Sequence, residues 1–196
     1  IVAEGTPEQI ATDDASLGPL NCRWPSVAAG VYYVLKAVLD PELPPNAGAY
    51  RPVEIDVRPG SLLSAVYPMA VCNANIITSQ RIVDVLLGAL SKVIPEKVQA
   101  ACSGTMNLLN IGGLDPRSNI YYNYIETYAG GQGAMLGQDG MDAVQNHMTN
   151  TRNAPVEAIE VAYPLRVESY ELVPDSEGAG EYRGGVGLRR TLRVDG

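Results

Sequence analysis

Apolar residues recur at helical spacing in two stretches of the chain. Val27, Val31, Val34, Leu35 and Val38 fall on one helix face, opened by Trp24-Pro25-Ser26 and ended by Asp40-Pro41, which predicts a helix over 24–39. Its β-branched residues lower helix propensity, so packing has to hold it. A second stripe, Ile82, Val85, Leu86, Ala89, Leu90 and Val93, predicts a helix over about 79–93, with Thr78 or Ser79 as its cap and Pro95 just beyond its end. A short helix over 95–101 follows. Elsewhere a period of two dominates, and residues 53–57, 121–127, 157–163, 166–173 and 188–194 read as strands. Asp139 heads a short helix carrying Met141, Val144 and Met148, with Asp142 at the third position of a capping box. Residues 1–23 read as a loop or arm with a short strand at 1–3. Strands outnumber helices in the second half, and no internal repeat or low-complexity linker marks a boundary. The predicted class is α+β (mixed α/β), with mostly antiparallel or mixed sheet and a few packed helices, forming one piece over 1–196.

Composition adds limits to that picture. Hydrophobic residues make up 46% of the 196, enough for a sizeable core. Tyrosine occurs 11 times and phenylalanine never, so the core should be wetter than usual or partly an interface. A net charge of −8 repels phosphate backbones and anionic lipid, which argues against nucleic-acid and membrane partners. No apolar run reaches the ~18–20 residues that a membrane-spanning helix needs. Cys22, Cys72 and Cys102 are widely spaced, which suits neither a disulfide framework nor a zinc knuckle and points to a reducing cytoplasm. The chain starts without Met and stops just after an alternating run, so further protein is expected on at least one side.

Candidate chemistry is sparse. No Gly-Lys pair exists, so a Walker-type phosphate loop is absent. The glycine loop at 129–134 follows a predicted strand but has the wrong spacing for a dinucleotide fingerprint. Gly131 and Gly133 read either as part of a backbone site for an anion or carbonyl, or as a tight turn without a ligand. His147 is the only histidine, so no two-histidine metal set can be drawn from this chain. Glu126, Asp139, Asp142 and His147 could line a cleft; alternatively the two aspartates only satisfy the amides of a helix start. Ser103-Gly104-Thr105 reads as a turn, and Cys72, in an apolar run, as a small buried hydrophobe. Asn146, His147, Asn150, Arg152 and Asn153 cluster around Pro155. Such side chains suit recognition of an amide or urea-like group, and equally an internal hydrogen-bond network. Arg183, in a glycine-rich connection, is expected to pair with a nearby carboxylate.

Taken together, several segments resemble the hydantoinase B/5-oxoprolinase family. They are Asp139-Gly140-Met141-Asp142-Ala143, the run from His147-Met148-Thr149-Asn150-Thr151-Arg152-Asn153 through Pro155 and Glu157, and Tyr163-Pro164-Leu165-Arg166. Pro174-Asp175-Ser176, Tyr182-Arg183-Gly184-Gly185, Thr78-Ser79-Gln80-Arg81, Gly104-Thr105-Met106-Asn107 and the loop at 129–134 fit as well. The resemblance implies the C-terminal part of a B-type subunit in an ATP-dependent cyclic-amide hydrolase, with ATP used by a hydantoinase A-like ATPase partner. An acetone or acetophenone carboxylase-type enzyme, or a non-catalytic assembly module, are the alternatives. It implies a divalent metal ion in the complete subunit, with ligands mostly outside this chain, because the family's His/Asp-rich segment lies toward the N-terminal side. On this reading Glu126, Asp139, Asp142 and His147 are catalytic, and Gly131, Gly133, Asn150, Arg152 and Asn153 bind substrate. One departure is Glu177, where the family usually has glycine.

Overall fold

A computed structural model describes residues 12–195, so the strand read at 1–3 lies outside the described residues. The fold is mixed α/β, with two small antiparallel sheets and a few packed helices. It divides into two compact units between Val83 and Asp84. This division falls inside a helix, so no shift in composition marks it. Among the described residues no helix is long and apolar enough to cross a membrane.

In the first unit α1 (Trp24–Leu39) matches the predicted helix and buries Val27, Ala28, Gly30, Val34 and Val38. Pro25 sits in its first turn, where no amide is lost from the ladder. At its other end Lys36 donates through Nζ to the carbonyls of Pro41 and Leu43 at 2.7 and 2.5 Å. A Cβ on Gly30 would stand 3.1 Å from Cγ2 of Ile82, so the absence of a side chain lets the helices approach. The short α2 (Ala47–Tyr50) is capped by Asn46, whose Oδ1 accepts from the amides of Gly48 and Ala49.

Residues 53–57 belong to no strand, contrary to the sequence pattern. Their side chains do alternate between partly buried and exposed, but among the described residues no segment pairs with them in a ladder. A π turn, Ala74–Thr78, leads directly into α3 (Ser79–Leu90). Thr78 and Ser79 therefore do not cap it; their hydroxyls donate to the carbonyls of Leu20 and Asn75. The buried stripe is also rotated from the predicted one. Ser79, Gln80, Val83, Asp84 and Leu87 are buried beside the predicted Ile82 and Leu90, whereas Val85 is 70% exposed and Val93, beyond the helix, 78%.

In the second unit the helix expected at 95–101 shrinks to a 3-10 turn, Pro95–Lys97. A hairpin follows, formed by β1 (Leu108–Asp115) and β2 (Ile120–Thr127), with Leu108 opposite Thr127 and Asp115 opposite Ile120. Strand β1 escapes sequence reading because Asn110, Gly112 and Gly113 weaken its apolar alternation. Residues 157–163, read as a strand, instead fall almost wholly in the helix α4 (Val156–Ala162). Pro155 sets its entry, and Val156 and Ile159 share a face at i,i+3 spacing, which outweighs the β-branched composition. As expected, β3 (Leu165–Leu172) and β4 (Leu188–Val194) are strands, and they pair antiparallel with an irregularity between Val167 and Ser169. Tyr124, Ile159 and Leu165 form the core, covered by Leu109, Ile111, Tyr163, Val167 and Leu192.

No helix forms over 139–148. Gly137, Ala143 and Met148 have φ of 85°, 52° and 61°, which interrupts any helical run. The carboxylates of Asp139 and Asp142 accept from the backbone amides of Arg183 and Val186, at 2.7 and 2.8 Å, not from a helix start.

Candidate functional site

The second unit contains a cavity of about 980 Å³ whose lining is rich in glycine. Its lining includes residues 100–103, the glycine loop 130–134 and the connection from Ser176 to Arg190. Gly130, Gln132 and Gly185 donate their amides to the carbonyls of Val144, Met141 and Gln132, which knits three segments together without a regular sheet. Glycine is required because the chains touch backbone to backbone. A Cβ on Gly131 would lie 1.8 Å from the carbonyl oxygen of Gly185, and one on Gly133 1.9 Å from that of Ala100. Gly131 and Gly133 both line the cavity, and among the described residues their amides donate in none of these backbone pairings. Backbone amides in such a lining are of the type that can donate to a carbonyl or anion.

Beside this wall three side chains distant in sequence converge. Asp84 comes from α3, Cys102 from the segment before β1, and His147 from the irregular stretch after the glycine loop. Their ligand-type atoms all lie within 4.8 Å of one another. Nε2 of His147 is 2.8 Å from Oδ1 of Asp84, and both side chains are almost fully buried. Sγ of Cys102 lies 3.6 and 3.8 Å from the two carboxylate oxygens of Asp84, while the Cys102 amide donates to Oδ1 at 3.3 Å. On the far side of the ring, Nδ1 of His147 faces Nε2 of Gln99 at 3.2 Å, and Gln132 donates to Gln99 at 2.7 Å. Burial alone would lower the pKa of His147, but its contacts with Asp84 and Cys102 outweigh this and push it up to about 9. Burial opposes ionisation of Asp84 too, yet the hydrogen bonds from His147 and from the Cys102 amide hold its carboxyl below the ordinary value.

The sequence-predicted residues do not gather at one point. His147 lies in the buried cluster, and Gly131 and Gly133 line the cavity. Glu126 is 7% exposed and occupied by partners: Arg190 at 2.5 Å, the Tyr124 hydroxyl, and the Ala154 amide at 2.9 Å. Arg190 is itself sandwiched by Tyr170 and Tyr128, at 4.2 and 5.0 Å from the ring centroids. Asp139 and Asp142 brace the 183–186 segment, and Asn150 and Arg152 are exposed away from the cavity lining. Asn153 donates to the Tyr170 hydroxyl, and Asn146 to Ser103 and the Thr105 carbonyl. For Asn146 and Asn153 the arrangement is thus an internal network. Arg183 pairs with Glu177 at 3.1 Å, which gives the unusual glutamate a partner. Cys72, read as buried, is exposed.

Sequence reasoning misses Asp84 and Cys102. Asp84 lies on the buried face of α3, but a search for apolar stripes sets an acidic residue aside. Only its position four residues from Gln80 and three from Leu87 marks that face.

The family model described as hydantoinase B/oxoprolinase matches residues 10–196. An uncharacterized protein of Methanocaldococcus jannaschii is 43% identical over 176 residues, covering 90% of this chain and 30% of that protein. A 5-oxoprolinase of Dictyostelium discoideum is 35% identical over 176 residues, covering 90% of this chain and 13% of that one. The crystal structure of ATP-dependent caprolactamase from Pseudomonas jessenii superposes with a TM-score of 0.79 at 30% identity, over 93% of this chain and 32% of that chain. The chain thus spans less than a third of the length of each of these relatives.

Proposed function

The chain belongs to the hydantoinase B/oxoprolinase family, and from that membership we propose that it is part of a subunit of an ATP-dependent enzyme that opens a cyclic amide. The likeness to caprolactamase along 93% of the chain supports this reading most directly. An unstrained amide is a poor electrophile with a poor leaving group. In the proposed reaction a phosphoryl group from ATP, transferred by an A-type partner subunit, is placed on the amide oxygen. Water adds to the activated carbon, the C–N bond breaks, the nitrogen takes up a proton and phosphate departs. The contribution of this chain is the cavity wall, where the amides of Gly131 and Gly133 hold the polarised oxygen, with His147 buried beside it.

The test uses the complete subunit together with its partner ATPase. Hydantoin, 5-oxoproline and caprolactam are each supplied with ATP, and ring-opened product and ADP are followed together. The proposal expects product to form only when ATP is consumed. Bicarbonate-dependent carboxylation of a ketone, with no amide opened, would assign the assembly to the carboxylase type instead.

A further inference from the structure

The cluster of Asp84, Cys102 and His147 brings a carboxylate and a thiol to the histidine, a donor set that the ring-opening proposal does not call on. It joins one carboxylate oxygen, one thiol sulfur and one imidazole nitrogen, drawn from three separate segments and all within 4.8 Å. Zinc bonded to such donors at ~2.0–2.3 Å, in tetrahedral geometry, would set them roughly 3.3–3.6 Å apart. The separations are 2.8 Å for His147 to Asp84 and 3.6 and 3.8 Å from Cys102 to the two Asp84 oxygens, with all three donors within 4.8 Å, so shifts of about 0.5 Å would bring the Asp84 contacts to that range.

Cys102 and Asp84 each have an outer partner of the kind that orients metal ligands. For His147 the outer neighbour is Gln99, whose amide nitrogen stands 3.2 Å from Nδ1 and whose carbonyl oxygen accepts from Gln132, so a metal on Nε2 requires the Gln99 amide to turn and accept from Nδ1–H. The Gly104 amide donates to Sγ of Cys102 at 3.4 Å, and the Cys102 amide donates to Asp84. Cys102 also lines the cavity, whereas Asp84 and His147 are buried. A carboxylate and a thiolate would together balance a doubly charged ion, and the mixed oxygen, nitrogen and sulfur set suits zinc over magnesium or calcium.

We propose that Asp84, Cys102 and His147 form a three-ligand site for a zinc-type divalent cation, with its remaining position toward the cavity. The site stands on this chain's own residues and does not depend on the cyclic-amide reading or on any metal held elsewhere in the subunit.

The complete subunit is stripped with chelator, and cobalt(II) chloride is added as the sole metal. A near-ultraviolet sulfur-to-cobalt charge-transfer band saturating at one equivalent, absent from Cys102→Ala and bleached by zinc, is the expected result. Cobalt elsewhere on oxygen and nitrogen ligands gives no such band, and exposed Cys72 is present in both proteins. A missing band, or one that persists in Cys102→Ala, overturns the proposal. Circular dichroism checks that the variant is folded. If it is not, Cys102→Ser decides, with the sulfur-to-cobalt band expected to be lost while the fold is kept; a band that persists in it overturns the site. Because the band is read without substrate, its outcome is separate from that of the ring-opening assay.

Discussion

Arg190 on β4 donates through Nη1 to Oε2 of Glu126 on β2 at 2.5 Å, with the two side chains 3% and 6% exposed. This pair ties the second hairpin to the first, and the Tyr124 hydroxyl and the Ala154 amide complete the carboxylate's shell. Removing one member of a buried pair leaves a charge without compensation. Arg190→Ala should therefore lower unfolding stability by about 3–5 kcal/mol, read by denaturant titration. A loss below about 1 kcal/mol would mean that solvent reaches the glutamate.

The same reasoning applies to His147, whose removal leaves Asp84 buried. His147→Ala should cost about 3 kcal/mol of stability as well as any turnover, because the side chain is a structural partner and not only a chemical one. Melting curves of the subunit and its variant check this, and an unchanged midpoint would contradict the buried pair.

The glycines differ sharply in what they tolerate. Gly133→Ala would drive a methyl group to 1.9 Å from the Ala100 carbonyl and should destabilise by about 3 kcal/mol. Gly88, in α3, has no atom within 4 Å of the place a methyl group would take, so Gly88→Ala should stabilise by roughly 0.5–1 kcal/mol through helix propensity. Thermal denaturation of the two variants should show shifts of opposite sign.

Thiol labelling separates Cys22 from Cys72. Burial pushes the Cys22 thiol up to about 11, with a hydrogen bond to Thr78 opposing the shift, whereas Cys72 is exposed. Cys22 gains its proton-bound preference only in the folded state. Its contribution to stability is complete below the unfolded value near 9 and is lost as pH rises through 11. At pH 8 a maleimide should modify Cys72 at least roughly tenfold faster than Cys22, with mass spectrometry of peptides as the readout. Equal rates would place Cys22 at the surface.

Local pattern determined what local physics controls. The stripe from Val27 to Val38 and the alternation at 188–194 specify α1 and β4, since burial of one face follows directly from spacing. The family resemblance was also legible, because it rests on turn and loop residues whose identities survive without coordinates. Tertiary structure alone decided three things. It made a helix of residues 156–162, because Ile159 could then reach Tyr124 and Leu165. It turned 139–148 away from a helix, because Asp139 and Asp142 found amides 44 residues later. And it joined Asp84 to Cys102 and His147 across 18 and 63 residues. Periodicity reports which face of an element is buried; it carries no information about which distant polar groups will meet there, since that depends on chain crossings set by the whole fold.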